Sequence, residues 1–192
     1  MRRSLQVPAL PRKLLTLAFI VRDDMGSQQV LLGMKKRGFG MGKWNGFGGK
    51  VEVSDASIAA AAAREIEEEA NVSVKAEHLQ RVVKGGDGGA RIPDAAVLGE
   101  ASESDEMKPQ WYDITDIPFK SMWADDHFWL PHVLSGKSVQ GHFHFAADED
   151  TLLDHNLEVK VDYISSDTRK LKRRHSRSLS SVSVRGHVSA TI

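Results

Sequence analysis

The stretch that decides the fold reads Ser57-Ile-Ala-Ala-Ala-Ala-Ala-Arg-Glu-Ile-Glu-Glu-Glu-Ala-Asn71. Its five consecutive alanines, the residues of highest helix propensity, predict a helix over Ile58–Ala70. Ser57 is a favoured N-cap residue, and Asn71 tolerates the left-handed conformation that ends many helices. We therefore expect a helix with well-defined ends in the first half of the chain.

The predicted helix carries a cluster of carboxylates. Glu65, Glu68 and Glu69 stand at positions i, i+3 and i+4, so they share one face of the helix. One interpretation is a solvated acidic face. The other is a site for a divalent cation, because like charges at this spacing repel one another and Mg²⁺ prefers oxygen ligands. The helix by itself leaves both interpretations open.

Strands are predicted on both sides of this helix. The nearly continuous apolar run at 14–21 predicts a buried strand, and a turn at 23–27 leads to a second strand at 29–34. Later strands are expected near 110–114, 142–145 and 157–162, with a second helix at 125–134. Residues 84–102, which contain Gly-Gly-Asp-Gly-Gly, show no helical or alternating pattern. They predict a long loop, and strands of the sheet would then be missing at 82–102.

Composition excludes several classes of function. Lys plus Arg and Asp plus Glu each number 26, so the net charge is zero and argues against whole-surface binding to nucleic acid or to an anionic membrane. The apolar run at 14–21 is too short to span a bilayer. The absence of cysteine excludes disulfides, thiolate metal sites and a cysteine nucleophile, and it suits a cytoplasmic or nuclear protein. The basic, acid-free first twenty residues keep mitochondrial targeting as an alternative.

The C-terminal segment 164–192 differs in composition from the rest. It contains eight serines and seven Lys or Arg residues with a single Asp, which predicts a disordered basic tail. The tail is a candidate for nuclear import, RNA binding or phosphorylation, and a solvated extension without such a role is an equal alternative.

The helix and the residues before it resemble the Nudix box, whose pattern is G-x5-E-x7-R-E-U-x-E-E-x-G-U with U aliphatic. Gly49 and the run Arg64-Glu65-Ile66-x-Glu68-Glu69 match this pattern. The departures are Asp55 in place of the first glutamate, one extra residue in the loop before the helix, and Asn71 in place of the final glycine. The chain is thus similar to the Nudix hydrolases, and the departures leave the helix itself undisturbed.

Further motifs are similar to the MutT-type branch of that family, the animal enzymes that act on oxidised purine nucleoside triphosphates. They lie in the same order along the chain, at 33–40, 44–51, 103–107 and 123–126. The resemblance implies an α/β/α Nudix sandwich with a mixed sheet over residues 12–163, between an N-terminal extension at 1–11 and the tail.

The resemblance also implies a divalent cation site for Mg²⁺, with Mn²⁺ as an alternative. The implied ligands are the carbonyl of Gly48 and four carboxylates, those of Glu65, Glu68, Glu69 and Glu106. Arg64 would complete the catalytic group by holding the glutamates in position, with an ordinary helix salt bridge as the alternative. Lys35 would approach the triphosphate as a point charge, and a surface lysine without this role is the alternative.

The implied nucleotide pocket is also defined by residue type. The resemblance places Asn45, Asp125 and Asp126 at the purine edge. Their chemistry suits that place, because together they can offer both donors and acceptors when one of two adjacent carboxyls stays protonated. The remaining substrate neighbours implied by the resemblance are Thr16, Phe39, Phe47, Gly48, Gly49, Lys50, Trp123 and Ala124, with Phe39 and Trp123 packing on the faces of the base. Taken alone, 123–126 is equally typical of an Asp-capped helix start beside a core tryptophan.

Two histidines form a separate candidate metal site. His142 and His144 share one face of a predicted strand, but Phe143 and Phe145 alternate with them. We expect the aromatic side chains to face the core and the histidines to face water.

The activity implied by the resemblance is Mg²⁺-dependent hydrolysis of oxidised purine nucleoside triphosphates, such as 8-oxo-dGTP and 2-oxo-dATP, to monophosphate and pyrophosphate. The expected partner is a small-molecule nucleotide, the expected state is a monomer, and neither a membrane nor nucleic acid is expected except through the tail. Three alternatives stay open. They are a Nudix hydrolase of other specificity, a catalytically impaired nucleotide-binding protein, and an RNA-associated protein that acts through the basic tail.

Overall fold

The computed structural model describes residues 13–81, 89–93, 97–160 and 183–185. Within them lie two α-helices, α1 (Ile58–Ala70) and α2 (Asp126–Leu134), and short 3-10 helices at Ala76–His78 and Phe119–Ser121. The strands, numbered in chain order, are β1 (Leu17–Asp24), β2 (Ser27–Lys35), β3 (Trp44–Asn45), β4 (Ser73–Val74), β5 (Gln80–Arg81), β6 (Gly89–Pro93), β7 (Val97–Leu98), β8 (Met107–Asp113), β9 (Ser138–Phe145), β10 (Leu152–Lys160) and β11 (Ser183–Arg185).

Both ends of α1 are where the sequence predicts them. The Ser57 hydroxyl accepts a hydrogen bond from the Ala60 N–H at 3.0 Å, as an N-cap residue does. Asn71 has φ 56° and ψ 28°, and its N–H donates to the Glu67 carbonyl at 3.0 Å. The face on which Glu65, Glu68 and Glu69 lie is therefore fixed by local signals at the two ends of the helix.

A seven-stranded mixed sheet forms the centre of the fold. β1 pairs antiparallel with β2 and parallel with β6, while β2 pairs along its length with β8. β3 extends the sheet from β2, and β5 from β6. A separate hairpin is made by β9 and β10, and β4 pairs with β7.

Alternate residues of β1 face opposite layers. Ala18 and Ile20 pack with Ile66 of α1 in one core cluster. Phe19 packs with Trp129 of α2 in the other cluster, which also takes in side chains of β9. This period of two buries both faces of the sheet. The expected α/β/α sandwich with a mixed sheet is confirmed.

The expectation of a loop throughout 84–102 is wrong. Gly89–Pro93 forms β6, which runs parallel to β1, and Val97–Leu98 forms β7. The intrinsic strand propensity of this stretch is low, but the edge of β1 supplies backbone hydrogen-bonding partners, and such context often outweighs propensity. Residues 82–88 and 94–96 lie outside the described residues.

The terminal segments are described only in small part. Residues 1–11 and most of 164–192 lie outside the described residues. In the tail, Ser183–Arg185 forms β11 against β1, so the prediction of disorder is wrong for these three residues, which find backbone partners on β1. In the described parts of the chain, no helix combines the length and apolar character needed to cross a membrane.

The histidines of β9 behave as expected. His142 and His144 are exposed, whereas Phe143 between them is buried. Their side chains therefore belong to the solvent face of the hairpin.

Candidate functional site

The backbone at 45–50 runs along the start of β1 and brings two glycines against α1. The Thr16 N–H donates to the Gly49 carbonyl at 2.8 Å, and the Phe47 N–H donates to the Ala18 carbonyl at 2.8 Å. A Cβ added to Gly49 would lie 2.6 Å from a carboxylate oxygen of Glu65, and one added to Gly48 would lie 2.0 Å from the Thr16 carbonyl oxygen. At Gly48 only glycine allows this approach to the backbone of β1, whereas a Cβ at Gly49 would displace the Glu65 carboxylate.

Glu69 is the most deeply buried of the three glutamates. Its Oε2 accepts a hydrogen bond from the Gly48 N–H at 2.8 Å, and its Oε1 lies 3.2 Å from the Lys35 Nζ. Burial raises the pKa of Glu69 to about 7, although Lys35 and the Gly48 N–H act in the opposite direction. Burial also raises the pKa of Glu65. Protonation of these carboxyls is therefore easier than in water.

Lys35 connects the helix to a second acidic segment. Its Nζ lies 3.2 Å from Glu69 and 3.3 Å from Glu106, which precedes β8. Burial alone lowers the pKa of Lys35, but the two carboxylates outweigh it, and the pKa is raised. Hydrogen bonding from Arg37 holds the pKa of Glu106 below its ordinary value. Lys35 thus stays charged between two carboxylates instead of acting as an isolated surface lysine.

Arg64 holds three carboxylates at once. It donates to both oxygens of Asp55, at 3.1 and 3.2 Å, and to Glu65 at 2.9 Å and Glu68 at 3.0 Å. Its hydrogen bonds lower the pKa of Asp55. The side chain of Asp55 is shorter than that of the glutamate in the Nudix box, yet it still reaches Arg64. The arrangement is more than an i,i+4 salt bridge, because it fixes the carboxylates against the loop before the helix.

The donor set suits a hard divalent cation. Glu65 raises the pKa of Glu69 by repulsion, and Glu68 does the same to Glu65, so a cation bound among them would relieve this repulsion. The Glu65 carboxylate fills the space beside Gly49 that a Cβ at this position would take. In the ranges that the structure describes, no three acidic or histidine side chains converge on one point as they stand, since Lys35 and Arg64 engage them. The residues fit the ion by donor chemistry, and in this arrangement their carboxylates bond Lys35 and Arg64 instead.

A cleft opens beside Gly48 and Gly49. It is lined by Leu15, Thr16, Leu17, Lys35, Phe39, Gly40, Lys43, Asn45, Gly46, Gly48, Gly49, Met107 and Trp123. Seven of these were among the expected substrate neighbours: Thr16, Lys35, Phe39, Asn45, Gly48, Gly49 and Trp123. Sequence reasoning missed the other six. Lys43 was the easiest to find, because it lies in the same glycine-rich cationic segment as Phe39.

The aromatic side chains of the cleft stack on each other. The ring centroids of Phe39 and Trp123 lie 4.8 Å apart at an angle of 22°. A base between them needs about 7 Å, twice a stacking contact of about 3.5 Å. The expectation that the two rings flank a base therefore requires them to separate. Lys43 lies 4.9 Å from the Trp123 ring centroid and pairs with Asp150 at 2.6 Å.

The structure does not bring the two aspartates to the lining of the cleft. Asp125 and Asp126 are both buried at the start of α2. Asp126 accepts a hydrogen bond from the Trp123 N–H at 3.0 Å, and Asp125 accepts one from the Trp129 indole at 3.2 Å. Both aspartates are in this position because the start of α2 is buried. Asp126 holds the backbone of Trp123, which does line the cleft.

Three other expected neighbours also lie away from the lining. Phe47 is fully buried in the core under α1. Lys50 is exposed, and its carbonyl accepts a hydrogen bond from Arg64 at 3.1 Å. Ala124 is half-buried in the turn before α2. None of the three is among the residues that line the cleft, and their place beside the substrate stays a prediction.

Fold and site together define a class, an α/β/α protein in which a glutamate-bearing helix lies beside a cleft built on a mixed sheet. The family model described as NUDIX domain matches residues 12–133, and the chain belongs to the Nudix family.

Individual relatives support the assignment. The chain is 45% identical over 157 residues to a protein of Danio rerio named oxidized purine nucleoside triphosphate hydrolase, covering 78% of this chain and 97% of that one. It is 41% identical over 152 residues to the Mus musculus protein of the same name, covering 76% and 94%. The crystal structure of a mutator MutT protein from Bacillus halodurans matches with a TM-score of 0.56 and 27% identity, over 77% of this chain and 98% of that chain.

Proposed function

We propose that the protein hydrolyses oxidised purine nucleoside triphosphates, such as 8-oxo-dGTP and 2-oxo-dATP, to monophosphate and pyrophosphate with Mg²⁺, or Mn²⁺ in its place. This removes damaged nucleotides from the precursor pool. The relatives of this name at 41% and 45% identity, matched over nearly their full lengths, support the substrate class. The observation that carries the proposal is that one cleft is lined both by Lys35 and Gly48 and by Asn45 and Trp123.

The phosphates belong beside Lys35 in this proposal. Its Nζ is held by Glu69 and Glu106, and a triphosphate would compete with these carboxylates for the same charge. A bound divalent cation supplies charge neutralisation and makes a water molecule more acidic. Glu65, Glu68, Glu69 and Glu106, with the Gly48 carbonyl, are the groups that would hold that ion.

Proton transfer falls to the buried carboxyls. Glu65 and Glu69 both have a pKa raised by burial, and that of Glu69 reaches about 7. These pKa values belong to the metal-free site, and a bound cation would lower them, so that one of the carboxylates could accept a proton from an attacking water. Arg64 keeps Glu65 and Glu68 oriented during this exchange.

The base belongs beside Asn45 and Trp123. The Asn45 Oδ1 accepts a hydrogen bond from the Gly46 N–H at 2.9 Å, which fixes the orientation of the carboxamide. The Asn45 amide N–H groups then serve as donors to a carbonyl oxygen of an oxidised purine. Trp123 offers a face for stacking once Phe39 moves from it.

The proposal is tested by product analysis on the purified full-length chain. We expect 8-oxo-dGTP and 2-oxo-dATP to give the monophosphate and pyrophosphate in a 1:1 ratio with Mg²⁺, and dGTP to react more slowly. Release of inorganic phosphate with a diphosphate product would contradict the proposed bond cleavage. Tight nucleotide binding without any product would identify an impaired binding protein, and equal rates on oxidised and ordinary nucleotides would identify a Nudix hydrolase of other specificity.

A further inference from the structure

Asn71 stands where the Nudix box has a glycine, and its side chain makes contacts that glycine cannot make. The Nδ2 lies 3.1 Å from the Glu103 carbonyl oxygen, 3.2 Å from the Ser102 Oγ and 3.4 Å from the Ser102 carbonyl oxygen. The Ser102 N–H also donates to the Ala70 carbonyl at 3.0 Å. The end of α1 is thereby tied to the start of the segment 102–107.

Ser104 makes a second attachment of this segment to the helix. Its hydroxyl donates to the Glu69 carbonyl at 3.0 Å. The same oxygen accepts from the N–H groups of Glu106 at 3.2 Å and Met107 at 3.1 Å. One hydroxyl therefore links the backbone of Glu69 to the backbone that carries the Glu106 side chain.

The opposite side of the segment is attached to the end of β2. The Lys36 N–H donates to the Glu106 carbonyl at 2.8 Å, and the Lys36 Nζ donates to the Ser104 carbonyl at 2.6 Å. These bonds fix the segment relative to the sheet, while the side chains of Asn71 and Ser104 and the backbone bond between Ser102 and Ala70 attach it to α1. Together these attachments set the separation of Glu69 and Glu106, whose carboxylates share Lys35.

We propose that Asn71, together with Ser104, is a positioning clamp that keeps the backbone of Glu106 beside the end of α1, so that its carboxylate stays within reach of a divalent cation held by the α1 glutamates. Helix termination alone does not require an asparagine at position 71, because glycine adopts φ 56° at least as readily. The inference rests on the cation site of the proposed function, and it is independent of the identity of the nucleotide.

The test uses Asn71→Gly and Ser104→Ala in the full-length, nucleotide-free chain. Mn²⁺ affinity is measured by electron paramagnetic resonance, and hydrogen exchange is measured at the amides of 102–107. We expect each variant to bind Mn²⁺ about three- to tenfold more weakly, the equivalent of about one net hydrogen bond, and to exchange faster in this segment. The thermal midpoint of Asn71→Gly should stay near the wild-type value because glycine suits the left-handed position.

Met25→Gly is the matched control, because Met25 is also a non-glycine residue with positive φ, 48°, but lies exposed in the turn between β1 and β2. It should leave Mn²⁺ affinity unchanged. Wild-type Mn²⁺ affinity and exchange rates in Asn71→Gly would overturn the clamp, as would a wild-type chain that binds no Mn²⁺. A chain that binds Mn²⁺ and loses affinity on Asn71→Gly, yet does not hydrolyse oxidised nucleotides, would support the clamp and contradict the proposed function.

Discussion

Replacing Glu69 by glutamine should stabilise the metal-free fold at neutral and alkaline pH, even though it removes a residue of the proposed site. In the folded chain, burial raises the pKa of Glu69 from its ordinary value of 4.5 to about 7. The native state thus holds its proton to a higher pH than the unfolded chain does. Stability from the protonated carboxyl is fully present below about pH 4.5 and is lost as the pH rises to about 7.

The size of the stabilisation follows from the difference between the pKa of Glu69 in the folded and in the unfolded chain. A difference of roughly 2.5 in pKa corresponds to about 3 kcal/mol of unfolding free energy above pH 7. Glutamine removes this cost and still offers an oxygen to the Gly48 N–H, which now bonds Glu69 at 2.8 Å. Lys35 loses one partner but keeps Glu106 at 3.3 Å, so about 3 kcal/mol is the upper bound.

Urea unfolding with a chelator at about pH 5 and pH 8 measures this directly. We expect the unfolding free energy of the wild type to be lower at the higher pH than at the lower pH. The unfolding free energy of Glu69→Gln should decrease less, and at the higher pH it should exceed that of the wild type. Glu67→Gln is the control, because Glu67 lies on the same helix with an exposed side chain. A Glu69→Gln chain that is no more stable than Glu67→Gln at pH 8 would refute the reasoning.

Three further changes test the site. Glu68→Gln should abolish turnover and leave the circular dichroism spectrum and thermal midpoint unchanged, since Glu68 is exposed; a retained rate would count against its role as a ligand. Gly49→Ala should lower kcat about a hundredfold, because its Cβ would lie 2.6 Å from a Glu65 carboxylate oxygen and displace it; an unchanged kcat would argue against that position. Asn45→Ala should reduce the preference for 8-oxo-dGTP over dGTP about tenfold, measured as a ratio of kcat/KM, and an unaltered ratio would exclude Asn45 from base selection.

Local signals account for the parts of the molecule that sequence reasoning predicts. The bounds of α1 follow from alanine propensity and from the capping residues Ser57 and Asn71, all within one short stretch. The exposure of His142 and His144 follows from simple alternation along β9. Such features need no knowledge of distant residues.

The parts that sequence reasoning missed depend on distant partners. Gly89–Pro93 forms a strand because β1 lies beside it, not because of its own propensity. Met107 reaches the cleft only because β8 pairs with β2. The burial of Asp125 and Asp126, which accept hydrogen bonds from Trp129 and Trp123, likewise depends on packing that residue type does not reveal, and their place at the purine edge stays a prediction. Residue type predicts chemistry, and packing decides which side chains face the ligand.

The most direct test of the central claim is the ratio of kcat/KM for 8-oxo-dGTP and dGTP, measured by pyrophosphate release with Mg²⁺ and with a chelator. The account predicts release that depends on Mg²⁺ and favours the oxidised nucleotide by at least about tenfold, consistent with one or two discriminating hydrogen bonds. Release that is equal for both nucleotides, or that persists in the chelator, would contradict it.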